Sequence, residues 1–221
     1  MNIVITIDGP AASGKSTVSR ELARRLGCPW VSTGAFYRGL AYIALQMGLD
    51  FSDVESLGRL ARSPIWSVEM TAENTKVLFQ GEDVSDKIAH DDVGSFASRI
   101  SSYPVVRAAL LEGQRRCFKP GLHLVAEGRD CGTVVFPEAA VKIYLTASSQ
   151  NRAARRAQEQ GSSEEQILKS QEVRDQQDSA RKVAPLQIPD QALVVDTTNL
   201  SLDQAIAQVH KYVLDKISAL A

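Results

Sequence analysis

One segment constrains the fold of this chain more than any other: IVITIDGPAASGKSTVSREL, residues 3–22. An apolar, β-branched run (Ile3, Val4, Ile5, Thr6, Ile7) leads into Gly9-x-x-x-x-Gly14-Lys15-Ser16, and a helical pattern follows. Strand, glycine-rich turn and helix in that order form a phosphate-binding P-loop. The glycines let backbone N–H groups turn inward onto phosphate oxygens, and the helix adds its positive dipole end. The expected cradle is Gly9, Pro10, Ala11, Ala12, Ser13, Gly14, Lys15, Ser16 and Thr17. Lys15 is expected to reach the β- and γ-phosphates of a nucleoside triphosphate, and the Ser16 hydroxyl to ligate Mg²⁺.

The rest of the chain supplies the frame for that loop. Lys15 to Leu26 is expected to be a helix closed by Gly27, with a short strand at Trp30–Ser32 behind it. A second helix is expected from about Ala35 to Met47, and Ser52 with Glu55 reads as a capping box for a third. IWSVEM, TKVLFQ and GEDVS then alternate apolar and polar residues, which predicts a small antiparallel sheet inserted into the βα pattern. Helices are expected over about Asp91–Ser101 and Pro104–Phe118, with one polar helical segment over about Asn151–Ala180. LHLVAE, VKIYL and ALVVDT are buried-strand runs, and Ser201 with Gln204 caps a final amphipathic helix. Strands apolar almost throughout and separated by helices predict a parallel sheet covered on both faces. Ligands of such a sheet bind at the carboxyl ends of its strands.

The formal net charge is −1, from 25 Lys and Arg against 26 Asp and Glu, so no general basic field points to nucleic acid. The cysteines (Cys28, Cys117, Cys131) are odd in number and form no CxxC, which argues against a disulfide framework or a zinc site. The first apolar run stops at Asp8, too short for a signal peptide or a membrane span. A cytoplasmic location, no membrane association and a monomer are expected.

A P-loop alone does not separate a GTPase switch, a motor and a small-molecule kinase. No N-K-x-D guanine reader is present. Arginines instead follow the strand ends: Arg38, Arg129, then Arg152, Arg155 and Arg156, then Arg174 and Arg181. Phosphoryl transfer between two phosphates needs such cations to cancel repulsion and meet the charge on the transferring group. A phosphate acceptor is already nucleophilic near neutral pH, so no general base is required. None of the three histidines lies beside a motif. A nucleotide-driven switch protein, or a kinase for UMP or another nucleotide, remains an alternative on these residues.

TIDGPAASGKST, STGAFYR, EGRDCGTVVFP and RDQQDSARKVAPL together resemble the bacterial cytidylate kinases over essentially the whole chain. The resemblance implies a three-layer α/β/α P-loop fold with a central parallel five-stranded sheet. It implies a core (about 1–34, 101–150 and 179–221), a monophosphate-binding region with the β-rich insert (about 35–100) and a helical lid (about 151–178). It also implies Mg²⁺-dependent transfer of the ATP γ-phosphoryl group to CMP or dCMP. By the family's motifs, Thr33, Tyr37, Arg38, Gly128, Arg129 and Cys131 surround the acceptor phosphate. Arg107 would donate to cytosine, while Asp130 and Ser98 would accept from its amine. Arg174 and Asp178 would hold the sugar. Lys15, Arg38, Arg129 and Arg181 are the expected catalytic cations, with Arg152, Arg155 or Arg156 reaching ATP from the lid. Two departures are visible: Ser32-Thr33-Gly34 stands where relatives often have Asp-Ser-Gly, and Glu127 where they often have Asp.

Overall fold

The structure is a computed structural model that describes residues 2–161 and 163–220, the side chains of Glu159, Gln160 and Arg174 excepted. Its centre is β1 (Val4–Asp8). Around it lie β2 (Trp30–Ser32), β6 (Leu124–Gly128), β7 (Val141–Thr146) and β8 (Leu193–Asp196), in the order β2-β6-β1-β7-β8. All four pairings are parallel. Side chains alternate across each strand. Ile3, Ile5 and Ile7 therefore pack with Val18 and Leu22 of α1 (Lys15–Leu26) and with Val209 and Val213 of α8 (Leu202–Leu220). Val4, Val31, Leu124 and Ala126 face the other way, onto Leu40 and Ile43 of α2 (Gly34–Gln46) and Leu110 of α5 (Pro104–Arg115). Two apolar cores on two faces explain why the strands lack polar alternation. Each fully buried Leu or Ile among them contributes about 2 kcal/mol.

The inserted sheet is β3 (Trp66–Met70), β4 (Thr75–Phe79) and β5 (Glu82–Asp83), antiparallel in that order. It shields the free edge of β2. Trp30 N donates to Thr71 O (2.9 Å), while the Thr75 hydroxyl accepts from Ser32 N (3.0 Å) and donates to Trp30 O (3.0 Å). An edge strand covered in this way offers no template for pairing with another chain. On its other side the insert meets α2 at Gly39, where a Cβ would stand 2.9 Å from Val77 Cγ1.

Several boundaries differ from the sequence expectation. The helix α3 (Val54–Ala61) is capped by Asp53, whose carboxylate accepts from Ser56 N at 2.9 Å. Ser52 is not the cap; its hydroxyl is held by Asp50. Helix α5 stops at Arg115 rather than Phe118, because Cys117 and Phe118 N bond three residues back and tighten the chain out of the α-helix. The polar segment is two helices, α6 (Ser149–Gln160) and α7 (Glu164–Ser179), not one. Gly161, at φ 63°, ends α6 as a left-handed cap. Helix α4 (Asp91–Ile100) and the reciprocal capping box of Ser201 and Gln204 stand as expected. A π-helical turn at Cys131–Val135, directly after β6, has no counterpart in the sequence reading.

Candidate active site

The carboxyl ends of β1, β2 and β6 are brought level by register: Asp8 lies beside Gly128, and Ser32 beside Glu127. Above them opens a cleft of about 640 Å³. On the β1 side the P-loop enters it. A Cβ on Gly9 would stand 2.1 Å from the Leu145 carbonyl oxygen, so only glycine lets the loop cross β7 this closely. Ala12 and Gly14 take positive φ (55° and 84°), which curls the backbone ahead of α1. Lys15 is 8% exposed and donates to Pro10 O at 3.0 Å. Burial, helped by the charge of Arg129, lowers its pKa to about 8. Anionic nucleotide binds the protonated lysine best. Affinity for ADP measured calorimetrically without divalent cation is therefore expected to hold between about pH 7, where the terminal phosphate is ionised, and pH 8. Above it, affinity falls by a factor approaching about tenfold per pH unit, since binding then takes up one proton.

Ser16 Oγ donates to Glu127 Oε1 (3.2 Å), and Ser32 Oγ donates to the same oxygen at 2.5 Å. Glu127 is 3% exposed, yet its Oε2 has no hydrogen-bond partner among the described residues. A buried carboxylate oxygen left unpaired beside a P-loop hydroxyl suits Mg²⁺, a hard cation that keeps several waters and takes few protein ligands. Ser16 and Glu127 fit that group.

The cationic side of the cleft is organised by Asp178. Arg129 Nε donates to Asp178 Oδ2 (2.6 Å), and Arg181 pairs with Oδ1. Burial alone would raise the Asp178 pKa, but the two guanidinium groups outweigh it and hold the carboxyl below its usual range. Arg129 Nη1 also donates to Gly9 O at 3.0 Å, which ties the P-loop to the turn after β6. Arg38 donates to the carbonyls of Ile88 (2.8 Å) and His90 (3.1 Å) at the cleft wall. The Thr33 hydroxyl donates to Glu127 O (3.0 Å) and touches Cys131 Sγ (3.5 Å). Gly128 must be glycine against that pair: a Cβ there would stand 2.3 Å from Thr33 Oγ1 and 2.8 Å from Cys131 Sγ. Cys131 is fully buried, and burial pushes its thiol pKa well up, so it is wall rather than nucleophile.

Deeper in the cleft lies a second polar group. Arg107 pairs with Asp130, both buried, and Arg107 Nη1 donates to Ser101 O at 3.2 Å. Burial raises the Asp130 pKa against the pull of Arg107 and Arg181. The Tyr37 ring lies 5.5 Å beneath the Arg107 guanidinium. Ser98 commits its proton to Gly94 O (3.1 Å), so its oxygen presents lone pairs to the cleft it lines. One buried donor fork therefore stands beside a carboxylate and a hydroxyl acceptor.

The sequence model described as cytidylate kinase matches residues 5–215. The chain belongs to the cytidylate kinase family. A relative of that name from Bdellovibrio bacteriovorus is 62% identical over 217 residues, covering 98% of this chain and 100% of its own. The cytidylate kinase of Neisseria gonorrhoeae is 43% identical, over 93% of this chain and 94% of its own. Among solved structures, an uncharacterised protein from Eubacterium ventriosum superposes with a TM-score of 0.54 at 14% identity, covering 97% of this chain and 99% of that one. A Thermus thermophilus protein gives 0.50 at 22%, covering 97% of each. Both share the fold.

On this cytidylate kinase scaffold the arginines of α6 are dispersed. Arg152 is buried, paired with Asp175 at 2.7 Å and donating to Ala11 O at 3.0 Å, so it braces the P-loop from behind. Arg155 holds Thr197, through Oγ1 (3.1 Å) and O (2.6 Å). Arg156 lines the cleft and reaches Asp91 of α4 at 3.0 Å. The side chain of Arg174 lies outside the described residues. Two residues of the site escaped the sequence reading. Gln114, 2% exposed, donates to Thr33 O at 3.3 Å. Asp8 accepts from Cys131 N (2.8 Å) and Gly132 N (2.7 Å) and so fixes the turn after Asp130. Burial raises Asp8 to a pKa of about 7. An acidic residue ending an apolar strand just before a glycine-rich loop was the only signal available for it.

Proposed function

We propose that this chain transfers the γ-phosphoryl group of ATP to CMP or dCMP, giving ADP and CDP or dCDP, with Mg²⁺. The observation that carries the reading is the buried Arg107–Asp130 pair with Ser98, in the same cleft as the P-loop. Cytosine offers acceptors at O2 and N3 and a donor at its exocyclic amine. Arg107 meets the first, and Asp130 with Ser98 meets the second. Uracil reverses the polarity, with O4 facing two acceptors, and a site that leaves buried polar groups unpaired rejects such a ligand strongly.

In this reading Gly9 to Thr17 hold the triphosphate of ATP, and Lys15 lies against its β- and γ-oxygens. Arg38 and Arg129 bind the acceptor phosphate in the pocket walled by Thr33, Tyr37, Gly128 and Cys131. Arg181 meets the charge of the transferring group, and Arg174 and Asp178 take the sugar. Substrate entry separates Asp178 from at least one of the arginines it now holds. That carboxylate thus keeps two buried cations paired in the free protein. Mg²⁺, held through Ser16 and Glu127, supplies charge neutralisation at the phosphates when bound. Closure of α6 and α7 excludes water, which otherwise competes as acceptor, and brings Arg152 or Arg156 to ATP. The core, the monophosphate-binding region with its insert and the lid divide the work as the sequence boundaries propose. The chain acts as a cytoplasmic monomer and without a nucleic-acid partner, the last supported by its near-neutral charge. Among the described residues no helix is long and apolar enough to cross a membrane.

The test is ADP release from ATP and Mg²⁺ with CMP, dCMP, UMP, AMP and GMP supplied in turn. Strong turnover on CMP and dCMP, with UMP far behind, supports the assignment. Slow hydrolysis indifferent to the acceptor overturns it.

A further inference from the structure

Glu127 is held asymmetrically. Both hydroxyl contacts, from Ser16 and Ser32, fall on Oε1 (3.2 and 2.5 Å), while Oε2 is buried and has no hydrogen-bond partner among the described residues. A carboxylate fixed through one oxygen presents the other in a set direction. The shorter of the two bonds comes from Ser32, which lies outside the P-loop, at the end of β2 in register with Glu127. The backbone of Ser32 is itself fixed, because Ser32 N donates to Thr75 Oγ1 of the inserted sheet at 3.0 Å. Ser16, on the P-loop, can donate its proton to Glu127 and still offer a lone pair to a cation; Ser32 Oγ donates to Glu127 and makes no other hydrogen bond among the described residues.

We propose that Ser32 is a positioning residue for the divalent cation, acting through Glu127: its hydroxyl fixes the carboxylate so that Oε2 faces the metal or its water. This rests on the kinase reading above. Hydrogen-bond partners of metal-binding carboxylates commonly carry a 10–100-fold share of metal affinity, about tenfold at the lower end. Thr75 places the β-rich insert in the same chain of contacts, so the insert that shields β2 also steadies the cation site.

The test is Mn²⁺ binding followed by electron paramagnetic resonance, in the presence of the β,γ-imido analogue of ATP, on the wild-type chain and on Ser32→Ala and Ser32→Thr. Ser32→Ala is expected to weaken Mn²⁺ by about tenfold, with unchanged affinity for the analogue when no divalent cation is present. Ser32→Thr, which keeps the hydroxyl, is expected to restore Mn²⁺ binding. Equal Mn²⁺ affinity in wild type and Ser32→Ala overturns the role of Ser32 and leaves the kinase reading intact. A parallel loss of metal-free nucleotide affinity also overturns it, since the effect is then on the P-loop. Failure of the wild-type chain to bind Mn²⁺ with the analogue overturns the kinase reading and this inference together.

Discussion

Replacing Arg129 with alanine is expected to lower kcat by about 10³-fold and to leave the ratio of CMP to UMP turnover unchanged. Arg129 stands where both halves of the site meet, donating to Gly9 O of the P-loop and to Asp178 beneath Arg181. In the proposed reading its charge acts on phosphate, which every nucleotide carries, and the Arg107–Asp130 pair, proposed to read the base, is left in place. Stability falls little, because Asp178 keeps Arg181 as partner. Arg129→Lys recovers only part of the rate, since an ammonium cannot reproduce the fork that serves Gly9 and Asp178 together. Single-turnover and steady-state rates on CMP and UMP check this. A loss confined to CMP would assign Arg129 to base recognition instead.

Asp130→Asn does the converse. The ratio of kcat/KM for CMP to that for UMP is expected to fall by about 10²-fold. An asparagine amide can donate to uracil O4, where the carboxylate could only face it as a second acceptor. Arg107 loses its charged partner in a buried place, while the amide oxygen still accepts one hydrogen bond. Breaking a buried pair outright costs about 3–5 kcal/mol, so a loss of about 2 kcal/mol is expected in urea unfolding. The specificity ratio is internal to the folded fraction and does not depend on that loss. Equal declines toward CMP and UMP would contradict the assigned role of Asp130.

The frame of this molecule was legible because its determinants are local and periodic. The β-branched run before Gly9, the αL glycine at Gly27 and the Ser201–Gln204 box each specify their structure within a few residues. The polar segment reads as one helix because it lacks a strong apolar stripe, and the break rests on the short signals of Gly161, which ends α6, and Ser163, which opens α7. The Asp53 cap was missed since Ser52 offered an equally good pattern one residue earlier, and the carboxylate is the stronger acceptor. Within the site, the arginines at strand ends were visible as types in position. Their partners were not: Asp8 with the turn at Cys131, Gln114 with Thr33, and Ser32 with Glu127 are long-range pairs set by sheet register and helix packing. Arg152, one of the arginines expected near ATP, braces Ala11 and Asp175, a pairing no motif encodes.

The most direct measurement is to follow γ-³²P from ATP in the presence of Mg²⁺ and CMP. Label is expected in the β-phosphate of CDP, appearing as fast as ADP forms, with little inorganic phosphate. Label released only as inorganic phosphate, at a rate indifferent to CMP, would contradict it.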